Sequence, residues 1–192
     1  YRKMIGYNKD LFILPFDHRS SFIKNMFGIE DREATDEEKD KIRKAKEIIY
    51  GGFKRALDEG LPKESAAILL DEEFGDKLLR DAKENGYIII LTTEKSGQKA
   101  FDFEYDGEFE KHIKKYDPTF VKALIHYNPE GEHSLNVGQR EKLRNLTQFA
   151  HENGYKLLIE PLIPATIEQL ARVGGDPDRY DRETRPILTI RM

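Results

Sequence analysis

The sequence predicts an α/β fold built on a parallel sheet, and three observations carry that expectation. Five short apolar runs recur along the 192 residues, each of strand length and too short for a core helix. Between them lie stretches with apolar residues at helical spacing, opened by capping residues and closed by glycine. The order strand, loop, helix repeats, and such alternation implies parallel strands joined by right-handed crossovers. Two closures fit it, an open doubly wound sheet and a (β/α)8 barrel. No G-x-G-x-x-G follows the first strand and no G-x-x-x-x-G-K-[ST] occurs, so neither dinucleotide nor P-loop binding is supported.

The first run, LFILPF at 11–16, is continuous and predicts a fully buried strand. Pro15 argues against a simple central strand but is tolerable near the end. Asp17, His18 and Arg19 follow. Ser20 or Ser21 can cap a short helix carrying Phe22, Ile23 and Met26, closed by Gly28. Residues 30–41 are a charge run entering the next helix, where Thr35 and Glu38 match a capping box. That helix should bury Ile42, Ala45, Ile48, Ile49, Ala56 and Leu57. Gly51-Gly52 weakens its middle by roughly 1 kcal/mol per residue relative to Ala and marks close packing.

The second strand is 66–70, ending in Asp71 and Glu72. A helix through Phe74, Leu78, Leu79 and Ala82 follows it to Gly86. The third strand is 87–91, running into Thr92, Thr93, Glu94 and Lys95. Phe109, His112, Ile113 and Tyr116 mark a helix closed by Asp117-Pro118. The fourth strand is TFVKALIH at 119–126. Residues 131–136 read as loop, with Asn136 capping a helix whose Leu143, Leu146, Phe149 and Ala150 face inward. YKLLIEPLI at 155–163 is the fifth strand. Thr166 with Gln169 caps a short helix ending at Gly174-Gly175, and 174–185 reads as polar loop. Pro186 then suits a helix start.

Composition excludes several classes of function. Charged residues reach 35%, against about 25% in an average domain, but both signs are interspersed and the net charge is −4. No basic stripe marks a nucleic-acid partner. No apolar run of membrane-spanning length exists, and YRKMIGYNKD at 1–10 lacks the apolar run of a signal peptide. The absence of Cys removes disulfides and thiol chemistry. A cytoplasmic protein is expected.

Two charges lie within apolar runs rather than after them, Lys122 and Glu160. On a strand Lys122 shares a face with Phe120, Leu124 and His126. Lysine is almost never fully buried unless paired, and desolvation lowers its pKa toward a neutral, nucleophilic amine. A buried carboxylate beside a buried amine satisfies both, and Asp17 would complete a Lys/Glu/Asp cluster. Such a cluster is either a structural ion pair or a general acid/base beside a carbonyl-handling amine. A metal reading is also available, with Asp17, Asp71, Glu94, His126 and Glu160 as oxygen or imidazole ligands for Mg²⁺, but no tight ligand spacing supports it. Every strand end carries polar groups, and in a barrel those ends converge on one rim. The histidines His112, His133 and His151 are read as surface residues.

LPFDHRSSF at 14–22, LLDEEFG at 69–75, EKSGQ at 94–98, FDFEY at 101–105 and DPTFVKALIHYNPEG at 117–131, with the Glu160 strand, resemble an aldolase-like TIM-barrel family (DUF2090-type). Its members occur alone or fused to the deoxygluconokinase of inositol catabolism. More distantly the chain is similar to class I, metal-free tagatose-bisphosphate aldolase, with His18 where that family has Gln.

The resemblance implies a (β/α)8 barrel of which residues 1–192, the N-terminal portion of a single domain, supply about the first five β/α units, with exposed sheet edges. It implies a Schiff-base aldolase-like lyase acting on a phosphorylated keto sugar or sugar acid, with no metal or other cofactor. Lys122 would polarise the carbonyl or assist the Schiff base, Glu160 would move protons, and Asp17 would orient or deprotonate a hydroxyl. Arg19, His18, Glu94, Lys95, His126 and Asn128 would bind substrate. The Schiff-base lysine of that aldolase lies on a sixth strand, so the chain is expected to stop short of it and to be poorly active. Its partner would be the sugar phosphate, with no nucleic acid or membrane, and a homo-oligomer or a kinase fusion as assembly. A metal-assisted barrel enzyme and a non-catalytic sugar-phosphate-binding or kinase-associated module are the alternatives.

Overall fold

A computed structural model describes residues 6–30 and 32–192. Five strands, β1 (Phe12–Pro15), β2 (Ala66–Leu70), β3 (Ile88–Thr92), β4 (Phe120–His126) and β5 (Lys156–Leu162), form one parallel sheet in the order β1-β2-β3-β4-β5. A doubly wound sheet would reverse its strand order and carry helices on both faces. Here the order is sequential. Helices α2 (Asp36–Asp58), α3 (Glu72–Glu84), α4 (Phe109–Tyr116) and α5 (His133–Asn153) all pack into the core on one face. The result is a curled half-barrel with its helices outside.

The pleat sorts each strand between two environments. Ile68, Leu70, Ile89, Leu91, Val121, Ala123 and Ile125 face the helices, against Tyr50, Phe53, Leu79, Ile113, Tyr116, Leu146 and Phe149. Each large apolar side chain fully removed from water there contributes about 1.5–3 kcal/mol. The alternate residues Ala67, Leu69, Ile90 and Phe120 face the concave side. A parallel strand covered on both sides reads as a continuous apolar run, which is why β2, β3 and β4 are visible in the sequence.

β1 departs from expectation. It is an edge strand rather than a buried one, and its Phe12 is 59% exposed. Pro15 is tolerated because an edge strand needs ladder donors on one side only. β5, the other edge, leaves Ile159 and Leu162 exposed.

Local signals set most helix ends. Thr35 caps α2 in the expected capping box with Glu38, and Thr166 does the same with Gln169 for α6 (Ile167–Arg172). α1 (Ser20–Phe27) has Arg19 at its N-cap and closes on Gly28, but no serine caps it. α5 starts before the expected Asn136 cap. Asn136 donates instead to the Asn128 carbonyl, and Gln139 to that of His126, so both amides brace the end of β4. The expected loop 174–185 holds α7 (Pro177–Glu183), capped by Asp176, and α8 (Arg185–Arg191) follows with Pro186 in its first turn.

α2 buries Ile42 as expected and packs Ile49 and Leu57 partly against the core, but its other buried residues are Lys46, Tyr50 and Phe53, and Ile48 is 78% exposed. Gly51 and Gly52 are exposed, and a Cβ on either would meet nothing within 4 Å. They do not mark close packing. Gly75 does: a Cβ there would lie 2.5 Å from the fully buried Leu70 side chain. Gly51→Ala is therefore expected to stabilise the fold by about 1 kcal/mol through helix propensity. Gly75→Ala should destabilise it by roughly 1–3 kcal/mol through overpacking. Urea denaturation of the two variants checks the opposite signs.

Candidate active site

One rule, the two-residue period of a strand, assembles the site. Lys122 is in register with Thr92 of β3 and Leu158 of β5, so all three share the concave face. Two residues beyond Leu158 stands Glu160, and two beyond Thr92 stands Glu94. On the edge strand, Pro15 is in register with Leu69 and faces the same side, and two residues later comes Asp17. Three chain segments thus deliver a carboxylate to one amine.

The Lys122 Nζ lies 2.9 Å from Asp17 Oδ2, 2.8 Å from Glu94 Oε1 and 3.0 Å from Glu160 Oε2. Lys122 is 1% exposed, and Glu94 is buried with it, whereas the Glu160 side chain is 46% exposed. The Leu124 amide donates to Glu94 Oε2 at 3.3 Å. Burial alone would pull the Lys122 pKa down, but the charges of Glu94 and Asp17 and the hydrogen bonds to them outweigh it, and the pKa is raised. This corrects the expectation of a neutral, nucleophilic amine: desolvation and acids at Asp17 and Glu160 are legible in the sequence, whereas Glu94, the first of the charges that outweigh burial, is expected there only as a substrate or metal ligand. Glu94 shifts in the same direction, which for an acid is toward the neutral form. Burial raises its carboxyl above the ordinary value despite the Lys122 charge. The raised Lys122 pKa follows from the acids around it and the raised Glu94 pKa from burial; we assign the ammonium at Lys122 because Asp17 and Glu94 accept from it and Glu160 lies 3.0 Å away.

The cluster lines a cavity of about 800 Å³ on the concave side, which also takes in His18, Arg19, Lys95 and His126. The loop after β3 doubles back to form its wall. The Lys95 amide donates to the Asp102 carbonyl at 2.9 Å and the Glu104 amide to that of Thr93 at 3.0 Å. Arg19 crosses to this loop, with Nη1 2.6 Å from Glu104 Oε2 and Nη2 2.6 Å from the Glu94 carbonyl. The hydroxyls of Ser20 and Ser96 meet at 2.8 Å.

Some expected site residues lie elsewhere. Asn128 does not line the cavity. It is buried against the start of α6, donating to the Pro164 carbonyl and Gln169 Oε1 at 2.8 and 2.7 Å. A buried amide must satisfy its own donors first. Asp71 is on the helix side, paired with Lys46, and caps α3 through the Phe74 amide. Glu72 binds His112 and Lys115 at the surface. His112 is no free surface histidine: its ring also stacks on Tyr105. The metal grouping therefore loses Asp71, and a lysine ammonium sits where the remaining carboxylates converge. Among the described residues no group of three or more His, Asp or Glu side chains is placed to hold a metal ion.

Two features escaped the sequence reading. Glu104 carries a faint signal, since Phe101 and Phe103 are buried and alternate with Asp102 and Glu104. Lys46 carries a clearer one, standing in an inward stripe with Ile42, Tyr50 and Phe53.

Fold and site together define a parallel α/β half-barrel protein with a charged cavity at the C-terminal ends of its strands. Among the described residues no helix is long and apolar enough to cross a membrane. The chain belongs to a family described as uncharacterized proteins conserved in bacteria (DUF2090), whose model matches residues 3–174. No curated protein matches it.

Proposed function

We propose that the cavity is the site of an aldolase-type carbon–carbon lyase acting on a phosphorylated keto sugar or sugar acid. In this reading the five strands are part of an eight-stranded barrel of the TIM type. The observation that carries it is the Lys122 ammonium, within 3.0 Å of three carboxylates on the cavity wall. In retro-aldol cleavage a base takes the proton of the hydroxyl β to a carbonyl. That oxygen becomes an aldehyde, and the carbon–carbon pair moves onto the carbon next to the ketone. In the Schiff-base form of the reaction the ketone oxygen has already left as water and the pair passes on into the iminium; Lys122 offers an N–H donor to that oxygen earlier, while the attacking lysine adds to the carbonyl and negative charge develops on it.

Asp17 orients or deprotonates the hydroxyl. Glu160, the most exposed of the three acids, delivers a proton to the new carbanion. His18 and Lys95 on the wall suit the substrate's anionic end. An ammonium held by carboxylates is not a nucleophile, so in a class I reaction the Schiff base falls to another lysine.

The test is cleavage of a panel of phosphorylated keto sugars and sugar acids by the full-length protein. Turnover should persist in EDTA, and borohydride should trap substrate on a lysine other than Lys122. Glu160→Gln should lower kcat by roughly 10²–10⁴ with little change in KM. Cleavage of no member of the panel, or activity lost to EDTA, would sink the proposal.

A further inference from the structure

We infer that Arg19 is a positioning residue: its guanidinium pins the loop after β3 so that the Glu94 carboxylate is delivered to the Lys122 amine. The aldolase resemblance would have it bind substrate oxygens. The geometry leaves it little freedom to do so. Arg19 is 6% exposed, and its Nη1 and Nη2 are engaged by Glu104 and by the Glu94 carbonyl. Glu104 Oε2 accepts from the Ser96 amide as well, at 3.3 Å. The remaining nitrogen, Nε, is buried with no partner among the described residues. A guanidinium recognises an oxyanion by presenting two parallel donors, and here donors on both terminal nitrogens are given to one loop of the protein itself.

That loop carries the residue that matters. The Nη2 bond falls on the main-chain carbonyl of Glu94, the residue whose Oε1 lies 2.8 Å from Lys122 Nζ. Arg19 and Glu94 are 75 positions apart, on loops that leave different strands. Without this link the loop after β3 is held by its own return pairing through Thr93 and Lys95, by the Thr93 amide and hydroxyl on the Lys122 carbonyl at 3.0 and 2.8 Å, by the Phe101 amide on Gln139 Oε1 at 2.9 Å and by the exposed Ser20–Ser96 contact, none of which touches the Glu94 carbonyl. A displacement of about 1 Å would lengthen the Glu94–Lys122 bond beyond hydrogen-bonding range. The charged groups facing Lys122 are Asp17 from the β1 loop, Glu94 from the β3 loop and Glu160 from β5. His18, Lys95 and His126 line the same cavity. Of these groups, and among the described residues, only Glu94 forms an ion pair with Arg19, at 3.8 Å from Nη2 to Oε1.

The inference concerns the amine and needs no substrate, so it stands or falls separately from the lyase reading. Its test is competitive acetylation of Lys122 by acetic anhydride at pH 8, read by mass spectrometry against the exposed Lys111 of α4 in the same protein. Glu94→Gln should raise the relative labelling of Lys122 about tenfold, the effect of lowering its pKa by about one unit. Arg19→Met should do the same. In the double variant the rise should stay near tenfold, because both changes remove one interaction. A hundredfold rise would show independent effects and overturn the inference, as would unchanged labelling in Arg19→Met. If Arg19→Met does not fold, Glu104→Gln takes its place. It should raise labelling several-fold alone and add nothing to Glu94→Gln, and failure of either overturns the inference.

Discussion

Lys122→Met is expected to abolish turnover and to cost about 3–5 kcal/mol of stability at neutral pH, the penalty for leaving buried partners of an ion pair uncompensated. For a chain of this length that lowers Tm by roughly 6–20 °C. Asp17, Glu94 and Glu160 would face one another with no cation between them. The sign of the pH dependence identifies the cause. In the variant Glu94, whose carboxyl burial already raises, loses the ammonium that opposed the rise, so its folded pKa stands above its unfolded one. Its stabilising contribution is then present below the unfolded carboxylate range and lost as pH rises through the raised value. Lysine behaves likewise in the native protein but far higher. Its pKa is raised above 10.5, so its contribution is intact below that value and is lost only as pH climbs through the folded one.

The variant should therefore regain stability between pH 8 and pH 5 relative to the native protein. The native protein should lose at strongly alkaline pH a contribution that the variant lacks. Urea denaturation at pH 5, 8 and 11.5 checks both. A variant as stable as the native protein at pH 8 would mean that the ammonium does not hold the three acids.

Lys46→Ala is the second large effect expected. Lys46 and Asp71 are a fully buried pair, and the Lys46 Nζ also donates to the Phe16 carbonyl at 2.7 Å. The rings of Phe22 and Phe74 lie 5.9 and 5.8 Å from that nitrogen. Truncation leaves a carboxylate and a carbonyl in an apolar setting with one amide donor, that of Phe74, still on Asp71. The cost is again about 3–5 kcal/mol. Replacing both members, with Lys46→Met and Asp71→Asn, should recover more than half of it, since the buried charge is gone and the amide oxygen can still cap α3. Chemical denaturation of the single and double variants decides. The pair also reaches the cavity: Phe16 precedes Asp17, so its carbonyl anchors the turn that carries Asp17 to Lys122.

These two lysines show what sequence reading could and could not see. Lys122 stood out because a charge inside a seven-residue strand breaks an apolar run. Lys46 did not, because α2 carries so many charges that one inward lysine is hidden among outward ones. The same contrast separates Glu160, which interrupts an apolar strand, from Glu104, which lies in a polar loop and is located only by the chain doubling back after β3. Asn128 was misread for a related reason. An amide just past a strand end looks available until Pro164 and Gln169, more than 35 residues later, are seen to claim it.

By itself the sequence determined the alternation of strands and helices, the capping boxes at Thr35 and Thr166, and the presence of an amine and an acid inside apolar strands. All of these depend on residues within a turn or a pleat of one another, where spacing alone decides which side chains meet. Only the tertiary structure decided that β1 is an edge, that the helices cover one face, that Lys122 stays charged and that Arg19 is already engaged. Each of those depends on groups brought together from distant segments, and the energy of a buried charge is set by which partners arrive within about 3–4 Å of it.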